Sequence, residues 1–543
     1  MSTAPSPSRQ TEKLLALALA LATLTAYWQV RHAQFVTFDD QVYVSRNSHV
    51  QAGVTWQTLL WSFTSTEASN WHPLTWLSLA LDAQVYHADA RGYHITNLLL
   101  HTANVLLLFH VLRRMTQACW PSAFAAGFFA LHPLHVESVA WVSERKDVLS
   151  TAFWILTMLA YTRYVERPGG FRYLLVLVAL AAGLLAKPML VTLPFVLFLF
   201  DYWPLCRLHA GKQMTADGAG TTWGFLLVEK IPLFLLAAGS CVMTLYAQTA
   251  GGAVRSLAEV PLASRLANAA VAYNAYLGKT VWPHRLAVLY PRLPLSWSDW
   301  RVLGASALLV GITVVALQSR KRRPYLTVGW LWYVGTLVPV IGLVPVGDQA
   351  FADRYTYVPL IGLFLIAAWG GAELITRRRG LTGPVGLLAV AILVACGVRT
   401  WLQVGSWHDS IALWQQAIAA GEPNAPAHYS LAFAYSDQGC FDQALAELRT
   451  ASRQDPNDQR AHVQLAFILS RQGELNEAVS HYNEALRLDP GNAAAHLNLT
   501  IDLIKLGNRD EAKHHLDEAG RLSPELKSTP QYQDALAKLS AAP

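Results

Sequence analysis

Charge is scarce in this 543-residue chain: only 14% of its residues are Asp, Glu, Lys or Arg, where soluble domains carry about 25%. With 53% hydrophobic residues, a wholly soluble protein is excluded. The cysteines, Cys119, Cys206, Cys241, Cys396 and Cys440, show no paired spacing. That removes a disulfide framework and a cysteine-based zinc site. No HExxH pattern occurs, so the zinc helix of metalloproteases is absent. The formal charge of +6 does not mark a nucleic-acid binder, because the basic residues lie in short clusters beside apolar runs. No A-x-A site follows the first apolar run, Leu14 to Val30, which therefore reads as a retained helix and not a cleaved signal peptide.

What is present is unevenly distributed. Long apolar runs extend to about Trp401, and the remainder is polar and Ala-rich. The expected fold is all-α, with a polytopic membrane helical domain over 1–402 and a soluble domain over 403–543. Apolar runs at roughly 13–30, 93–112, 119–135, 148–165, 172–188, 189–205, 230–249, 302–319, 325–345, 356–375 and 382–401 predict about eleven crossings. Basic clusters at Arg9/Lys13, Arg113/Arg114, Arg163/Arg167/Arg172, Arg207/Lys212, Arg320–Arg323 and Arg377–Arg379 all fall on one side of such a path. The positive-inside rule makes that side cytoplasmic. The segment 262–282, carrying Arg265, Asn268, Asn274 and Lys279, then lies in the interface. The expectation is a multi-pass protein of the plasma (inner) membrane. Its N-terminus is cytoplasmic, and its 31–92 loop and C-terminal domain are non-cytoplasmic.

The C-terminal part repeats. Gly439, Gly473 and Gly507 are spaced by 34 residues, as are Ala444, Ala478 and Ala512, and Pro456, Pro490 and Pro524. This is the tetratricopeptide period. Small Gly and Ala let paired helices approach, and Pro ends the second helix of a unit. An α-solenoid follows, with a concave surface that suits a peptide or partner domain; a structural spacer is the plainer alternative.

The candidate chemistry sits in loops. Asp39 and Asp40 stand together in Phe38-Asp39-Asp40-Gln41-Val42-Tyr43, just past the first apolar run. A carboxylate at the membrane rim can take the proton of an acceptor hydroxyl, although Asp is also an ordinary turn residue. Other loops carry Asn70-Trp71-His72-Pro73, the stretch from His132 to Asp147, and the stretch from Asp348 to Pro359. Ionisable groups near membrane helix ends pair with one another or line a polar cavity. Arg145, Lys146 and Arg354 suit the phosphate of a lipid donor. Asp39, Asp40 and Glu137 suit proton handling or a metal. His72, His132 and His135 suit phosphate donation or metal ligation, with a buried structural role as the plainer alternative for each. Tyr355, beside Arg354, joins the substrate-binding candidates. A divalent metal, magnesium or manganese, remains an open candidate cofactor.

These loops resemble the transmembrane and tetratricopeptide-repeat O-mannosyltransferase family, membrane enzymes of the C-type glycosyltransferase fold. The stretches that carry the resemblance are Phe38-Asp39-Asp40, Trp71-His72-Pro73, His132-Pro133-Leu134-His135-Val136-Glu137-Ser138-Val139-Ala140-Trp141 with Glu144-Arg145-Lys146-Asp147, and Asp353-Arg354-Tyr355-Thr356-Tyr357 with Pro359. With the repeats, the likeness covers nearly the whole chain. It implies an inverting glycosyltransferase that moves a sugar, expected to be mannose, from a polyprenyl-phosphate donor to a protein Ser or Thr hydroxyl outside the cytoplasm. Asp39 or Asp40 would be the base, and the repeats would hold the protein or peptide acceptor. Two readings compete: a non-catalytic membrane scaffold that recruits partners through its repeats, and a lipid-linked glycan polymerase or ligase. A scaffold has no reason to assemble acids, bases and phosphate-binding cations from three loops.

Overall fold

The computed structural model describes residues 8–207, 222–252, 259–292, 295–344, 347, 349–421 and 423–541. Lys212 and Asp348 lie outside the described residues. The chain divides into two compact units, Met1–Leu413 and Trp414–Pro543.

The first unit is a helical assembly of the membrane type. Among the described residues, seven helices are long and apolar enough to cross a bilayer: Arg9–His32, Ala90–Thr116, Val142–Glu166, Trp223–Ala250, Trp300–Gln318, Leu360–Arg377 and Arg379–Gly405. The chain is therefore a multi-pass membrane protein. The other four expected crossings form shorter helices, Cys119–Leu131, Gly170–Ala186, Pro188–Tyr202 and Pro324–Leu337. At 1.5 Å rise per residue, the 13 residues of Cys119–Leu131 span only about 20 Å, short of the roughly 30 Å hydrocarbon core. Proline sets these ends. Residues before proline avoid helical backbone, so the helices stop ahead of Pro133 and Pro188. The segment expected in the interface forms the helix Leu262–Val281 and is not among those apolar enough to cross.

Packing depends on small residues where helices meet. Gly329 and Gly362 face each other between Pro324–Leu337 and Leu360–Arg377, and a Cβ on either would collide with the other's carbonyl oxygen. Close approach through glycine is how membrane helices gain dispersion contact without a hydrophobic driving force. Outside the bundle, Tyr43, Val44, Val50, Trp76, Leu79, Ala83, Tyr93 and Val142 form a buried cluster. It fixes the first loop against the helices Pro73–Tyr86 and Ala90–Thr116.

The second unit contains the tetratricopeptide array. Helix pairs Ala425–Asp437/Phe441–Gln454, Gln459–Gln472/Leu475–Leu488 and Ala493–Leu506/Arg509–Leu522 repeat, and Pro530–Ser540 follows. Ala444, Ala478 and Ala512 are wholly buried. Gly473 and Gly507 cap their helices in the left-handed region at φ 87° and 84°, where a side chain is disfavoured. Each second helix ends two residues before Pro456, Pro490 or Pro524.

Substituting Gly362→Ala should force the two glycine-packed helices apart, at about 1–3 kcal/mol for overpacking. Thermal unfolding in detergent should show a lowered midpoint. An unchanged midpoint would remove close glycine packing as a determinant of this bundle.

Candidate functional site

The adjacent carboxylates take different roles because successive side chains leave the backbone in different directions. Asp40 is buried. Its Oδ2 accepts from the Val36 N–H at 2.9 Å, and its Oδ1 accepts from the Ser143 N–H at 3.0 Å and the Ser143 hydroxyl at 2.5 Å. Both oxygens are thus committed to tying the first loop to the Val142–Glu144 turn. Burial pushes this carboxyl up to about 6, against the pull of those hydrogen bonds. Asp39 is half-buried, and no side-chain hydrogen bond to it is found among the described residues. Burial raises its pKa, while Lys146 and then Arg354 draw it down.

Around Asp39 lies a cluster of ionised side chains. The Glu144 carboxylate meets Lys146 Nζ at 3.2 Å, Lys187 Nζ at 3.2 Å and Arg354 Nε at 3.3 Å. Lys187 Nζ also pairs with Asp147 Oδ1 at 2.5 Å. Glu137 accepts from Arg354 twice, from Nη1 at 2.5 Å and from the backbone N–H at 3.0 Å. Burial opposes the charge on Arg354, but Glu137 and Glu144 hold its pKa well above the ordinary arginine value. The Ser138 hydroxyl donates to Asp147 Oδ2 at 2.9 Å. Aromatic faces complete the shell. Lys146 Nζ lies 4.7 Å from the Tyr43 ring centre, and the Arg354 guanidinium lies 5.4 Å from Trp141 and 4.9 Å from Tyr355. Ring faces attract cations at these distances.

Beside this cluster is a narrow, partly open cleft with free room for about one water. Lys187, Arg354 and Asp147 form its polar side, and Trp154, Met189, Leu190, Tyr357, Val358 and Pro359 its largely apolar side. Tyr355 also lines it, with its hydroxyl accepting from Gln349 Nε2 at 3.0 Å. Charged and aliphatic groups line the same cleft, a mixture that suits the phosphate end of an amphipathic ligand.

Among the remaining sequence candidates, His72 lies beside the cluster, within reach of the Lys146, Glu144 and Lys187 charges, and the others do not line the cleft. Arg145 is fully buried, and its guanidinium donates to Asn97, to Ser78 Oγ at 2.9 Å, to Asp82 Oδ2 at 2.5 Å and to the Tyr93 carbonyl at 3.0 Å. Its fork is filled by protein and is not brought to the cleft. His132 bonds the Thr280 carbonyl at 3.0 Å and accepts from the Leu134 N–H at 3.3 Å. His135 bonds the Phe129 carbonyl at 2.8 Å among Phe129, Tyr357 and Phe364. Both are buried, and burial lowers their pKa values, which favours neutral rings. His72 is also buried, stacked on Tyr43 and Trp76, and burial keeps it neutral as well. His132 and His135 are tied to backbone carbonyls, and His72 Nε2, like His135 Nε2, is buried without a hydrogen-bond partner among the described residues.

A divalent metal is a poor fit for the carboxylates as placed. Glu137, Glu144 and Asp147 are held by cations, and Asp353 accepts from the Tyr290 hydroxyl, whereas magnesium or manganese needs several uncommitted oxygens. Among the described residues no group of three or more His, Cys, Asp or Glu is placed to hold a metal.

Three members of the cluster were not among the sequence candidates: Lys187, Glu144 and Asp147. The Glu144-Arg145-Lys146-Asp147 run held a signal for the last two, since adjacent acids and bases at a membrane helix start must find partners. Lys187 gave only a lone lysine before proline, and its partners lie about 40 residues away in sequence.

A multi-pass helical membrane unit with a charged, aromatic-lined cleft, joined to a tetratricopeptide array, defines the class of this chain. Residues 72–213 match the family model described as dolichyl-phosphate-mannose-protein mannosyltransferase, and residues 402–466 and 469–539 match that of the tetratricopeptide repeat. Protein O-mannosyl-transferase TMTC4 of Mus musculus is 27% identical over 80% of this chain and 65% of its own length. The Homo sapiens TMTC4 is 28% identical over 74% of this chain and 61% of its own length. The chain thus spans less than two thirds of the length of these curated relatives. Among solved structures, ArnT from Cupriavidus metallidurans bound to undecaprenyl phosphate aligns with 90% of this chain and 81% of its own, at 15% identity and a TM-score of 0.36. The chain is thus similar to transmembrane and tetratricopeptide-repeat O-mannosyltransferases in both its membrane and its repeat regions.

The filled fork of Arg145 makes a prediction. Arg145→Ala leaves Asp82 as a buried carboxylate without its cation, a change that costs about 3–5 kcal/mol. Arg145→Ala should therefore lower the unfolding midpoint sharply and reduce the yield of folded protein. A stable Arg145→Ala variant that has lost only donor binding would return Arg145 to the phosphate site.

Proposed function

We propose that this chain transfers mannose from a polyprenyl-phosphate donor to a Ser or Thr hydroxyl of a protein, on the non-cytoplasmic side of the membrane, with inversion at the anomeric carbon. The observation that carries the proposal is the Asp39 carboxylate, which takes no side-chain hydrogen bond among the described residues and is drawn down by Lys146 and Arg354, with Arg354 also lining a part-apolar cleft. The curated relatives are named protein O-mannosyl-transferases, which supports the sugar and acceptor class. In this reading the lipid chain lies along the Trp154, Met189 and Leu190 wall. The phosphate meets the guanidinium and ammonium groups, where Arg offers a planar fork. Asp39 accepts the acceptor's hydroxyl proton as its oxygen forms the bond to the anomeric carbon. The bond from that carbon to the phosphate oxygen breaks on the opposite face. The departing electron pair goes to the phosphate, whose charge is stabilised by fixed cations that need no reorganisation. Asp40 takes no proton from substrate; it holds the loop that presents Asp39.

The two carboxylates should separate experimentally. Asp39→Asn should fold as wild type and lose about a hundredfold or more in turnover, the scale of general-base removal. Asp40→Asn should instead lower thermal stability, because its amide cannot accept from both Val36 and Ser143 as the carboxylate does. Since Asp39 works as the carboxylate, the rate should fall as pH drops through its raised pKa. The acid limb should therefore lie above the ordinary Asp value of about 3.9. Full turnover in Asp39→Asn, measured with polyprenyl-phosphate mannose and a peptide acceptor, would overturn the assignment.

Sidedness is tested apart from chemistry. The arginine alternation places Pro543 outside, so a reporter fused there should be active only in the non-cytoplasmic compartment. Cytoplasmic activity would overturn that orientation while leaving the Asp39 assignment standing.

A further inference from the structure

Two turns far apart in sequence come together at one end of the membrane helices. Arg320-Lys321-Arg322-Arg323 joins the helices Trp300–Gln318 and Pro324–Leu337, and Arg377-Arg378-Arg379 leads from Leu360–Arg377 into Thr382–Gly405. Glu373 ties them together. Its Oε1 accepts from Arg323 Nε at 3.0 Å and pairs with Arg377 Nη2 at 2.6 Å, and its Oε2 accepts from the Tyr325 hydroxyl at 2.5 Å. The end of a third helix closes the arrangement. The Tyr202 hydroxyl donates to the Arg320 carbonyl at 2.7 Å, and the Trp203 ring lies 5.6 Å from Trp369 and 6.5 Å from Tyr325.

The charge there does not balance. The turns carry seven cations, six of them arginine, and Glu373 is shared by Arg323 and Arg377. Arg320, Lys321, Arg322, Arg378 and Arg379 are exposed, and their side chains make no ion pair among the described residues. At the Asp39 site the opposite holds, since Lys146, Lys187 and Arg354 each already face a carboxylate. Orientation in a membrane asks only for positive charge on one side. It gives no reason to gather two separate turns around one carboxylate. Just inside the cations the surface turns apolar. Leu317 and Leu374 stand three residues before Arg320 and Arg377, about 4.5 Å further along their helices, and are 39% and 43% exposed.

We propose that these two turns form one docking surface for an anionic glycerophospholipid of the leaflet they face. Its phosphodiester sits among the exposed guanidinium groups, and its acyl chains run along the Leu317 and Leu374 side. The planar fork of arginine pairs with two phosphate oxygens at once, and anionic leaflets attract basic clusters at helix ends. A zwitterionic lipid offers the same phosphate but adds a cation, which the five unmatched residues repel. The surface is separate from the Asp39 site and does not depend on the reaction performed there.

The test uses purified full-length protein in detergent, titrated with phosphatidylglycerol, with phosphatidylcholine of the same chains, and with inorganic phosphate. Bound lipid is counted by mass spectrometry of the intact protein. Wild type should hold phosphatidylglycerol about tenfold or more tighter than phosphatidylcholine, and added salt should weaken that preference by screening. A variant combining Arg320→Gln, Arg322→Gln, Arg378→Gln and Arg379→Gln removes four exposed cations that make no ion pair. It should therefore unfold at the wild-type midpoint and lose on the order of a hundredfold in affinity for phosphatidylglycerol, a few-fold per cation. Wild-type affinity in that variant would overturn the proposal. Equal affinity of wild type for the two lipids overturns it whether or not the variant folds. Inorganic phosphate that displaces phosphatidylglycerol at equal concentration would also overturn it, leaving a plain anion site.

Discussion

Asp40 is the tie on which the site depends. Its two oxygens hold Val36 on one side and the Ser143 turn on the other, so a loop after the first membrane helix is fastened to the start of the helix that follows Glu144. Loops are ordinarily mobile. This one is fixed by a buried carboxylate whose hydrogen-bonding capacity is largely used. Fixing Asp40 leaves Asp39 in a defined place without spending its own oxygens. A base must be both positioned and free to accept, and a single carboxylate does not readily do both. The pair divides the two tasks.

The same division recurs among the cations. Arg145 and Lys146 are neighbours on one helix, and successive helical residues project about 100° apart. One therefore points into the Asn97, Ser78 and Asp82 pocket, and the other toward Tyr43 and Glu144. Arg145 anchors the helix that carries Lys146 and Asp147. The cluster facing the cleft keeps cations nearly matched by carboxylates. An unmatched set of buried cations would be too costly to hold without ligand. Glu144, shared among Lys146, Lys187 and Arg354, balances that charge from behind the cleft.

How much of this was legible in sequence follows from the range of each interaction. Apolar runs and the 34-residue period are local signals, and helices and repeats appear where they predict. The four shortened helices reflect proline. A hydropathy run continues through Pro133 or Pro188, but helical backbone does not. At the site, the residue types were legible and their assignments were not. Nothing in Asp39-Asp40 or Arg145-Lys146 says which member turns inward. That depends on partners such as Ser143, 103 residues from Asp40. Lys187 was illegible for the same reason, since its meaning comes from Glu144 and Asp147 on another helix. The three histidines were legible only as alternatives: His132 and His135 find backbone carbonyls and aromatic neighbours, while His72 stacks on Tyr43 and Trp76.

The repeats obey different logic because their geometry is set by period. In a tetratricopeptide array each unit places a given position against the same facing position, so one substitution pattern is copied along the solenoid. A histidine at the first-helix position meets whatever stands 19 residues later, and that distance is constant from unit to unit. Changing the partner from Glu447 to its counterparts His481 and His515 replaces an imidazole–carboxylate contact with an imidazole pair. Spacing alone could reveal that ladder, whereas the meaning of Asp39 required the folded membrane unit. Periodic sequence exposes its own contacts. A site assembled from distant loops exposes only its ingredients.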